Sequence, residues 1–575
     1  MDEEPVPVVS KVRGLAFFVL AFGILGGCAE RPPQAAIAAA HPLAARAGLE
    51  ILEAGGNAFD AAVAVTATLA VVEPYSSGLG GGGFWLLFRA RDERYSLLDG
   101  RETAPSAAHR DMYLDEAGEL IPRASLDGAL AAGIPGVAAG LDYLATYYGA
   151  LPLAVSLAPA IRHARTGFPV SERYRRMAAF RLDALRASPV AAEVFLLDGE
   201  VPPIGYMVRQ PALAATLERI AVAGRAGFYH GPVARRLVAG VRAGGGIWTL
   251  TDLAAYDVMV RAPIIGEYAG TRVVSAAPPS SGGVALVETL NILSGFDLDA
   301  MDPVTQKHVI IEAMRRAYRD RADALGDPDF VEVPVARLTD PAYGKGLAAT
   351  IELDRATPSA VSSKIEARRS LGHQTTHFSI IDFEGNRVAA TLSINYPFGS
   401  VFMPPGTGVL LNDEMDDFSA RAGTPNAYGL VGGEANAIAP GKRPLSSMTP
   451  TFLERDDRIA ILGTPGGSRI ITMVLLAALD FAAGKGPVSW VGLPRYHHQY
   501  LPDEVQFEPG ALDEFDQIGL ARRGHTLREL NRPYGNMQAI LWDAKTGAIT
   551  AASDPRGEGQ GVVLSATRQA LQRTH

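Results

Sequence analysis

Two hydroxyl side chains, Thr375 and Ser393, have the residue types and the spacing for nucleophilic chemistry. Alternating residues predict a β-strand over 375–381 and a second strand over 387–394, separated by the turn-like residues 382–386. If these five residues form a hairpin loop, Thr375 lies opposite Ser393 and both hydroxyls share one face of the sheet. A two-residue loop would shift the pairing by one residue and give Thr375 another partner.

Thr375 needs no histidine to act as a nucleophile if the chain is cut in front of it. A threonine at a new N-terminus carries the attacking hydroxyl and also a base, its α-amine, whose reference pKa is about 8. An opposing Ser393 could orient that hydroxyl. The preceding residues 352–374 are polar and lose apolar periodicity, which predicts a surface segment. Threonine is also a good strand former, so this position alone predicts a strand and nothing more.

The elements around this hairpin predict a layered domain that mixes helices and strands. Helical spacing is found over 42–54, over 58–72 and from 302 to about 325, and an apolar run of strand length covers 84–88. The glycine run 80–83 lacks the Lys-Ser/Thr ending of a P-loop, so close backbone packing is the better interpretation. The fold class is therefore α/β or α+β.

Composition excludes several classes of function. The 575 residues are 48% hydrophobic and 20% charged with a net charge of −9, which favours a globular protein with a small-molecule partner over a nucleic-acid-binding surface. The single cysteine, Cys28, excludes an internal disulfide and any metal site built from several cysteines.

Residues 1–27 are predicted to be a leader of the bacterial lipoprotein type. Lys11 and Arg13 precede an apolar stretch that is short for a bilayer span and ends in Leu25-Gly26-Gly27-Cys28, which resembles a lipobox. Cleavage before Cys28 would give an exported, periplasmic protein that contacts the membrane through a lipid anchor only. The alternative is a plain signal peptide with an incidental cysteine.

Several separate blocks of sequence resemble the gamma-glutamyltransferase family. Gln374-Thr375-Thr376 and the residues up to 379 are similar to the site where family members cut their own chain, using the hydroxyl of the first threonine. Further similar blocks follow the family's order over nearly the whole exported chain, at residues 55–62, 73–82, 101–105, 444–448, 465–468 and 494–499.

This resemblance implies the α+β fold and the activity of that family. The fold would be the four-layer αββα sandwich of N-terminal-nucleophile hydrolases. Cleavage between Gln374 and Thr375 would give a large subunit, 28–374, and a small catalytic subunit, 375–575, which form a heterodimer within one folding unit. Substrates would be gamma-glutamyl compounds such as glutathione, and the acceptors would be water, amino acids or peptides. No cofactor and no metal are implied.

The resemblance also assigns residues to the amino-acid head group of such a substrate. A carboxylate suits the planar fork of an arginine, and an ammonium suits carboxylates. The positions that match the family's head-group ligands are Arg101, Ser446 and Ser447 for the carboxylate and Asn395, Glu414 and Asp417 for the amine. Without the resemblance, Arg101 would suggest a surface salt bridge, the serines a turn or cap, and residues 412–417 a solvated acidic loop or a cation site.

Two glycines and a tyrosine complete the implied site. Gly466 and Gly467 match the family's oxyanion hole, where backbone N–H groups stabilise the charge that develops on the attacked carbonyl, although a simple turn would also explain them. Tyr428 matches a lid loop that covers the substrate in many bacterial members. His497 and His498 are adjacent, so on a strand they would point to opposite faces and are interpreted as structural.

Two rival functions remain at this point. A cephalosporin or glutaryl acylase of the same superfamily would keep the nucleophile and act on a different acyl group. A lipoprotein that never matures and merely binds a ligand belongs to another class.

Overall fold

A computed structural model describes Met1 and residues 31–359, 375–421 and 423–565. The predicted leader, Cys28 and Gln374 lie outside the described residues. In chain order, the strands are β1 (Gln34–Ala39), β2 (Gly82–Arg89), β3 (Arg94–Asp99), β4 (Phe168–Pro169), β5 (Met207–Val208), β6 (Met259–Arg261), β7 (Ile264–Tyr268), β8 (Thr271–Ser275), β9 (Thr375–Ile381), β10 (Arg387–Ser393), β11 (Thr451–Arg455), β12 (Arg458–Gly463), β13 (Tyr496–His497), β14 (Val505–Phe507), β15 (Leu527–Glu529), β16 (Gln538–Asp543), β17 (Ile549–Ser553) and β18 (Gln560–Ser565).

The α-helices lie between these strands, and most of them precede β9. In chain order they are α1 (Pro42–Glu53), α2 (Ala58–Val72), α3 (Val137–Tyr147), α4 (Leu153–Thr166), α5 (Glu172–Phe180), α6 (Leu182–Arg186), α7 (Pro189–Phe195), α8 (Pro211–Ala223), α9 (Ala226–Tyr229), α10 (Gly231–Ala243), α11 (Leu250–Ala255), α12 (Gly282–Leu293), α13 (Pro303–Ala324), α14 (Val335–Leu338), α15 (Pro341–Ala348), α16 (Ile470–Ala482), α17 (Pro487–Gly492) and α18 (Glu514–Arg522). No helix in the described ranges is long and apolar enough to cross a membrane.

Two sheets form the centre of the fold. One has seven strands in the order β18-β1-β9-β10-β2-β3-β6, and the other has six in the order β17-β16-β12-β11-β8-β7. Successive side chains of a strand point to opposite faces, and in β2 both faces are buried. Trp85 and Leu87 pack into the core formed with α1, α2 and α4, whereas Phe84 and Leu86 pack into the core shared with the second sheet.

The second sheet is covered on its other side by the helices α12, α13 and α16, whose apolar residues belong to the same core. The layer order is therefore helix, sheet, sheet, helix. This is the α+β, four-layer αββα sandwich that the family resemblance implied.

The predicted hairpin register is confirmed. Strands β9 and β10 pair antiparallel with Ile381 opposite Arg387 and Thr375 opposite Ser393. Asp382 organises the turn between them, because its Oδ1 accepts the backbone N–H groups of Glu384 and Asn386 at 2.9 Å each. The five-residue loop thus holds its shape through a side chain, and the alternative two-residue loop is wrong.

Local sequence signals explain why the helices begin where they do. The Asn57 side chain accepts the N–H groups of residues 59 and 60, and Asp60 returns a bond to the Asn57 backbone, which completes a capping box for α2. At α13, the Asp302 side chain accepts the N–H groups of residues 304 and 305, and Pro303 occupies the first helical position. The N–H of Ala58 is bonded to Asp382, so the hairpin turn fixes the start of α2.

Candidate active site

Thr375 is the first residue of β9 and is 5% exposed. Its Oγ1 lies 3.3 Å from the Oγ of Ser393, directly across the strand pair. The Ser393 Oγ also accepts the backbone N–H of Asn395 at 2.8 Å. Either hydroxyl can be the donor in the contact between Thr375 and Ser393, and the Ser393 hydroxyl also interacts with the carboxylate of Glu414. The strand register therefore positions a hydroxyl that can orient the predicted nucleophile.

A small cavity opens beside Thr375, with a volume of about 20 Å³. That volume holds little more than one water molecule. Most of the residues proposed from the sequence line it, together with four apolar or small neighbours; the lining is Thr375, Ser393, Asn395, Glu414, Asp417, Tyr428, Leu430, Ser446, Ser447, Met448, Gly467, Ser468 and Ile470.

Arg101 does not line this cavity. It lies directly behind Glu414 and Asp417, which form the acidic wall of the cavity. Its guanidinium is fully buried, with Nη1 2.6 Å from Glu414 Oε2 and Nη2 2.5 Å from Asp417 Oδ2. Its Nε donates to the carbonyl of Pro444 at 3.2 Å. The short 3₁₀ turn Glu414–Asp417 presents both carboxylates to the arginine. The interpretations of Arg101 as a surface salt bridge and of residues 412–417 as a solvated loop are therefore wrong.

This cluster contains more negative than positive groups. Glu102 adds a third buried carboxylate, 3.6 Å from Arg101 Nη1, and within the described part of the chain neither of its oxygens has a hydrogen-bond donor. Burial raises the pKa of Glu102 well above its usual value, and Glu414 raises it further. Burial also raises the pKa of Glu414, to about 7, against the opposing effect of Arg101. Burial disfavours the charge of Arg101, but Glu414, Asp417 and Glu102 together outweigh that effect and raise its pKa. Such a site favours an additional cation.

Asn395 lines the same cavity and has an unusual backbone conformation. Its φ of 70° lies in the left-handed region, which asparagine tolerates better than most residues. Its Nδ2 donates to the carbonyl of Asp413 at 3.0 Å, so its Oδ1 is the end of the amide left to accept a bond. That oxygen complements the carboxylates of Glu414 and Asp417 as a ligand for an ammonium group.

Ser446 and Ser447 also line the cavity and are called its serine wall here. The Ser446 Oγ accepts the backbone N–H of Met448 at 3.1 Å, and the Ser447 Oγ accepts an N–H of Arg321 at 3.1 Å. Both serines therefore keep a hydroxyl hydrogen to donate to an anion. Arg321 was missed by the sequence reasoning, because it lies within a long amphipathic helix and belongs to no block quoted for the family.

Gly466 and Gly467 join β12 to α16 with φ values of 153° and 58°, which disfavour other residues. A Cβ atom at Gly467 would lie 2.5 Å from the ring of Tyr428. Gly467 lines the cavity and Gly466 precedes it in the same turn. Gly467 thus brings main chain, rather than a side chain, to the cavity that Thr375 lines, whereas Gly466 does not line it.

Tyr428 closes the cavity from outside. Its hydroxyl donates to the carbonyl of Asn395 at 2.7 Å. Asn426 shapes the loop by accepting the N–H groups of residues 428 and 430, and its Nδ2 donates to Asp417 Oδ1 at 3.1 Å. Gln499, which lies in the family-like block 494–499 but was assigned no role from the sequence, donates to the carbonyl of Gly429 at 3.0 Å. The loop that carries Tyr428 is therefore bonded to the acidic wall through Asn426 and Asp417.

The two adjacent histidines lie apart from this cavity lining. His497 bonds Thr472 and Gln499 at 2.9 Å each, and His498 lies 3.2 Å from Asp503. Burial lowers the pKa of both imidazoles, so they are neutral groups with separate partners, in agreement with the structural interpretation.

A strand-initial threonine at a sheet-to-sheet interface, in an αββα sandwich, defines the class of N-terminal-nucleophile hydrolases. Residues 44–564 match the family model described as gamma-glutamyltranspeptidase. A glutathione hydrolase proenzyme of Pseudomonas aeruginosa is 43% identical over 538 residues, covering 92% of this chain and 94% of the relative. The glutathione hydrolase proenzyme of Escherichia coli is 40% identical over 533 residues, covering 92% and 91%.

Among solved structures, the cephalosporin acylase of Bacillus halodurans superposes with a TM-score of 0.80 at 29% identity and covers 98% of both chains. The chain belongs to the gamma-glutamyltranspeptidase family and is an enzyme of that kind.

Proposed function

We propose that this protein is a self-processing gamma-glutamyltransferase that cleaves the gamma-glutamyl amide bond of glutathione and related compounds. It transfers the gamma-glutamyl group to water, an amino acid or a peptide. The observation that carries the proposal is the site around Thr375, where a nucleophile with an opposing hydroxyl adjoins an acidic wall and a serine wall. The two walls complement the ammonium and the carboxylate of an amino-acid head group.

Maturation is the first reaction in the proposal. The Thr375 hydroxyl attacks the carbonyl carbon of Gln374, the peptide C–N bond breaks, and the hydroxyl proton passes to the Thr375 nitrogen, which leaves Gln374 as an ester on Oγ1. Water hydrolyses this ester to the Gln374 carboxylate and restores the Thr375 hydroxyl beside a free α-amine. The products are a large subunit, 28–374, and a small subunit, 375–575, which stay together because β9 and β10 of the small subunit pair with β1 and β2 of the large one. Export by the leader and lipid attachment at Cys28 are part of the same proposal.

Catalysis then uses the new N-terminus. The α-amine accepts the proton of the Thr375 hydroxyl while Oγ1 attacks the γ-carbonyl carbon. The N–H groups of Gly466 and Gly467 stabilise the oxyanion. The C–N bond breaks, the amine leaves with the proton, and a gamma-glutamyl ester of Thr375 remains. Water or an acceptor amine attacks this ester and regenerates the hydroxyl.

Head-group binding requires the closed cavity to open. Arg101 is engaged by Glu414 and Asp417, and the cavity of about 20 Å³ is too small for an amino acid. We infer that Tyr428 swings out to admit the substrate, whose ammonium then binds Asn395, Glu414 and Asp417. The substrate carboxylate binds Arg101, Ser446 and Ser447, the three positions that match the family's carboxylate ligands. The lid then closes over the acyl group.

The experiment compares anilides that differ in the head group. We expect kcat/KM for a gamma-glutamyl anilide to exceed that for a glutaryl anilide by about a hundredfold or more, because the glutaryl compound leaves the acidic wall without a cation. A preference for the glutaryl anilide would instead support an acylase, the activity named for the structural neighbour from Bacillus halodurans. A chain that is never cut and turns over neither compound would support a ligand-binding lipoprotein.

A further inference from the structure

Arg321 is a buried cation beside the serine wall. It lies in the last turn of α13 and is 4% exposed. Its Nε donates to Ser281 Oγ at 2.9 Å, and its Nη2 donates to Ser447 Oγ at 3.1 Å. Among the described residues it forms no salt bridge within 4.0 Å, so both of these partners are uncharged hydroxyls. A buried arginine without a carboxylate is unusual and needs an explanation.

Arg101 and Arg321 differ in whether a carboxylate contacts them. The charge of Arg101 is offset by Glu414 and Asp417 in direct contact. Burial lowers the pKa of Arg321, and Tyr318 and Asp417 oppose this lowering. The guanidinium stays charged at physiological pH, because the pKa of an arginine is so high. The serine wall therefore has a cation directly behind it that no carboxylate of the described residues contacts.

The hydrogen bond from Arg321 also determines that the Ser447 hydroxyl acts as a donor toward the cavity. Because the Ser447 Oγ accepts from Arg321, its own hydrogen is left for another acceptor, and Ser447 lines the cavity. A hydroxyl that accepts from a guanidinium becomes a stronger donor. The expected acceptor is an anion on the cavity side.

We propose that Arg321 is a positioning residue that polarises Ser447 and thereby sets the affinity for the α-carboxylate of the substrate. This inference rests on the proposed function, since it assigns one more residue to the same head-group site. Arg321 does not touch the substrate. Its contribution appears in binding rather than in the attack by Thr375.

The test measures KM and kcat of Arg321→Met with two donors. A gamma-glutamyl anilide carries the α-carboxylate, and a 4-aminobutyryl anilide has the same amine and chain without it. We expect KM for the gamma-glutamyl anilide to rise about tenfold to a hundredfold, the effect of losing a hydrogen bond supported by a charge. The expected kcat stays within about threefold, and kcat/KM for the 4-aminobutyryl anilide stays within about threefold of the unmodified enzyme.

Three further variants keep the test decisive. Arg319→Met is the matched control, because Arg319 lies on the same helix, pairs with Asp320 and is 39% exposed at its side chain; its kinetics should be unchanged. Arg321→Lys keeps the charge without the fork and should recover part of the lost affinity. In a Ser447→Ala background, Arg321→Met should add less than about twofold, since its effect acts through Ser447.

An equal loss on both anilides would contradict the proposal, because it would indicate a general structural role. A full effect of Arg321→Met in the Ser447→Ala background would contradict it as well. Failure of the proposed function has a different signature, in which the unmodified enzyme prefers a glutaryl anilide. In that case, the glutaryl and butyryl anilides replace the donor pair, because they also differ by one carboxylate.

Discussion

Asp417→Asn tests whether the acidic wall recognises the ammonium group of the substrate. The substitution keeps the shape of the side chain and removes one negative charge from the acidic wall. Asp417 lines the cavity with 15% of its side chain exposed, and its Oδ2 lies 2.5 Å from Arg101. Arg101 keeps Glu414 as a partner at 2.6 Å, so the substitution leaves no buried arginine unpaired.

The size of the effect follows from the burial of the ion pair that we propose between Asp417 and the substrate ammonium. Removing one partner of a buried ion pair costs about 3 kcal/mol at the lower end of the usual range. That free energy corresponds to roughly 150-fold in kcat/KM for a gamma-glutamyl anilide. A glutaryl anilide has no ammonium, so its kcat/KM should change by less than about threefold or should increase, because a repulsive charge is removed.

The assay is steady-state release of the aniline from both compounds by matured enzyme. Asp92→Asn is the control, since Asp92 also pairs with an arginine, Arg89, but lies in the loop after β2 and away from the cavity lining. It removes the same charge and should leave both activities unchanged. If Asp417→Asn reduced turnover of the two anilides by the same factor, the assignment of the acidic wall to the ammonium would be wrong.

Further predictions concern pH, orientation of the nucleophile and packing. Because burial raises the pKa of Glu414 to about 7, protonation below that pH removes a negatively charged partner of the ammonium. KM for a gamma-glutamyl donor should therefore rise as the pH falls below 7 and level off above it. Glu414→Gln should abolish this inflection in the pH profile of KM. Ser393→Ala should lower kcat about tenfold with little change in KM, because one hydrogen bond to Thr375 is lost, as stopped or continuous anilide assays would measure. Gly463→Ala should lower the free energy of unfolding by about 1–3 kcal/mol in denaturant titrations, since its Cβ would overlap the buried ring of His377; an unchanged midpoint would contradict that packing argument.

The hairpin that carries Thr375 was predictable because its signals are local. Alternation defined the two strands, and the length of the Asp382–Asn386 turn fixed the register that places Thr375 opposite Ser393. The caps at Asn57 and Asp302 are local for the same reason, and the helices that follow them begin where the sequence indicated.

The sheet order was not predictable from residue patterns, because it depends on distant segments. Strand β1 pairs with β9 and with β18, so residues near 36 meet residues near 381 and near 563. Buried strands carry apolar side chains on both faces, and such runs contain no signal that selects a partner. Residue patterns predicted a layered domain, but its four-layer αββα order could be inferred only from the resemblance to a known family.

The site shows the same division between what is local and what is not. The candidate residues were identified by their match to the family, but the contacts between them could not be predicted from the sequence. The sequence gives no sign that Arg101 would be engaged by Glu414 and Asp417, or that Glu102 would join them behind the cavity. Arg321 was hidden within an ordinary amphipathic pattern, and only its hydrogen bond to Ser447 reveals it.

The central claim is that Thr375 becomes the N-terminus of a catalytic subunit. N-terminal sequencing of the smaller fragment of the purified protein tests this directly, and it should begin Thr375-Thr376-His377. Thr375→Ala should yield no fragment, whereas Thr376→Ala, which changes the hydroxyl on the opposite face of β9, should still be cut at the same bond. A fragment that begins elsewhere, or an active enzyme that remains a single chain, would contradict the account.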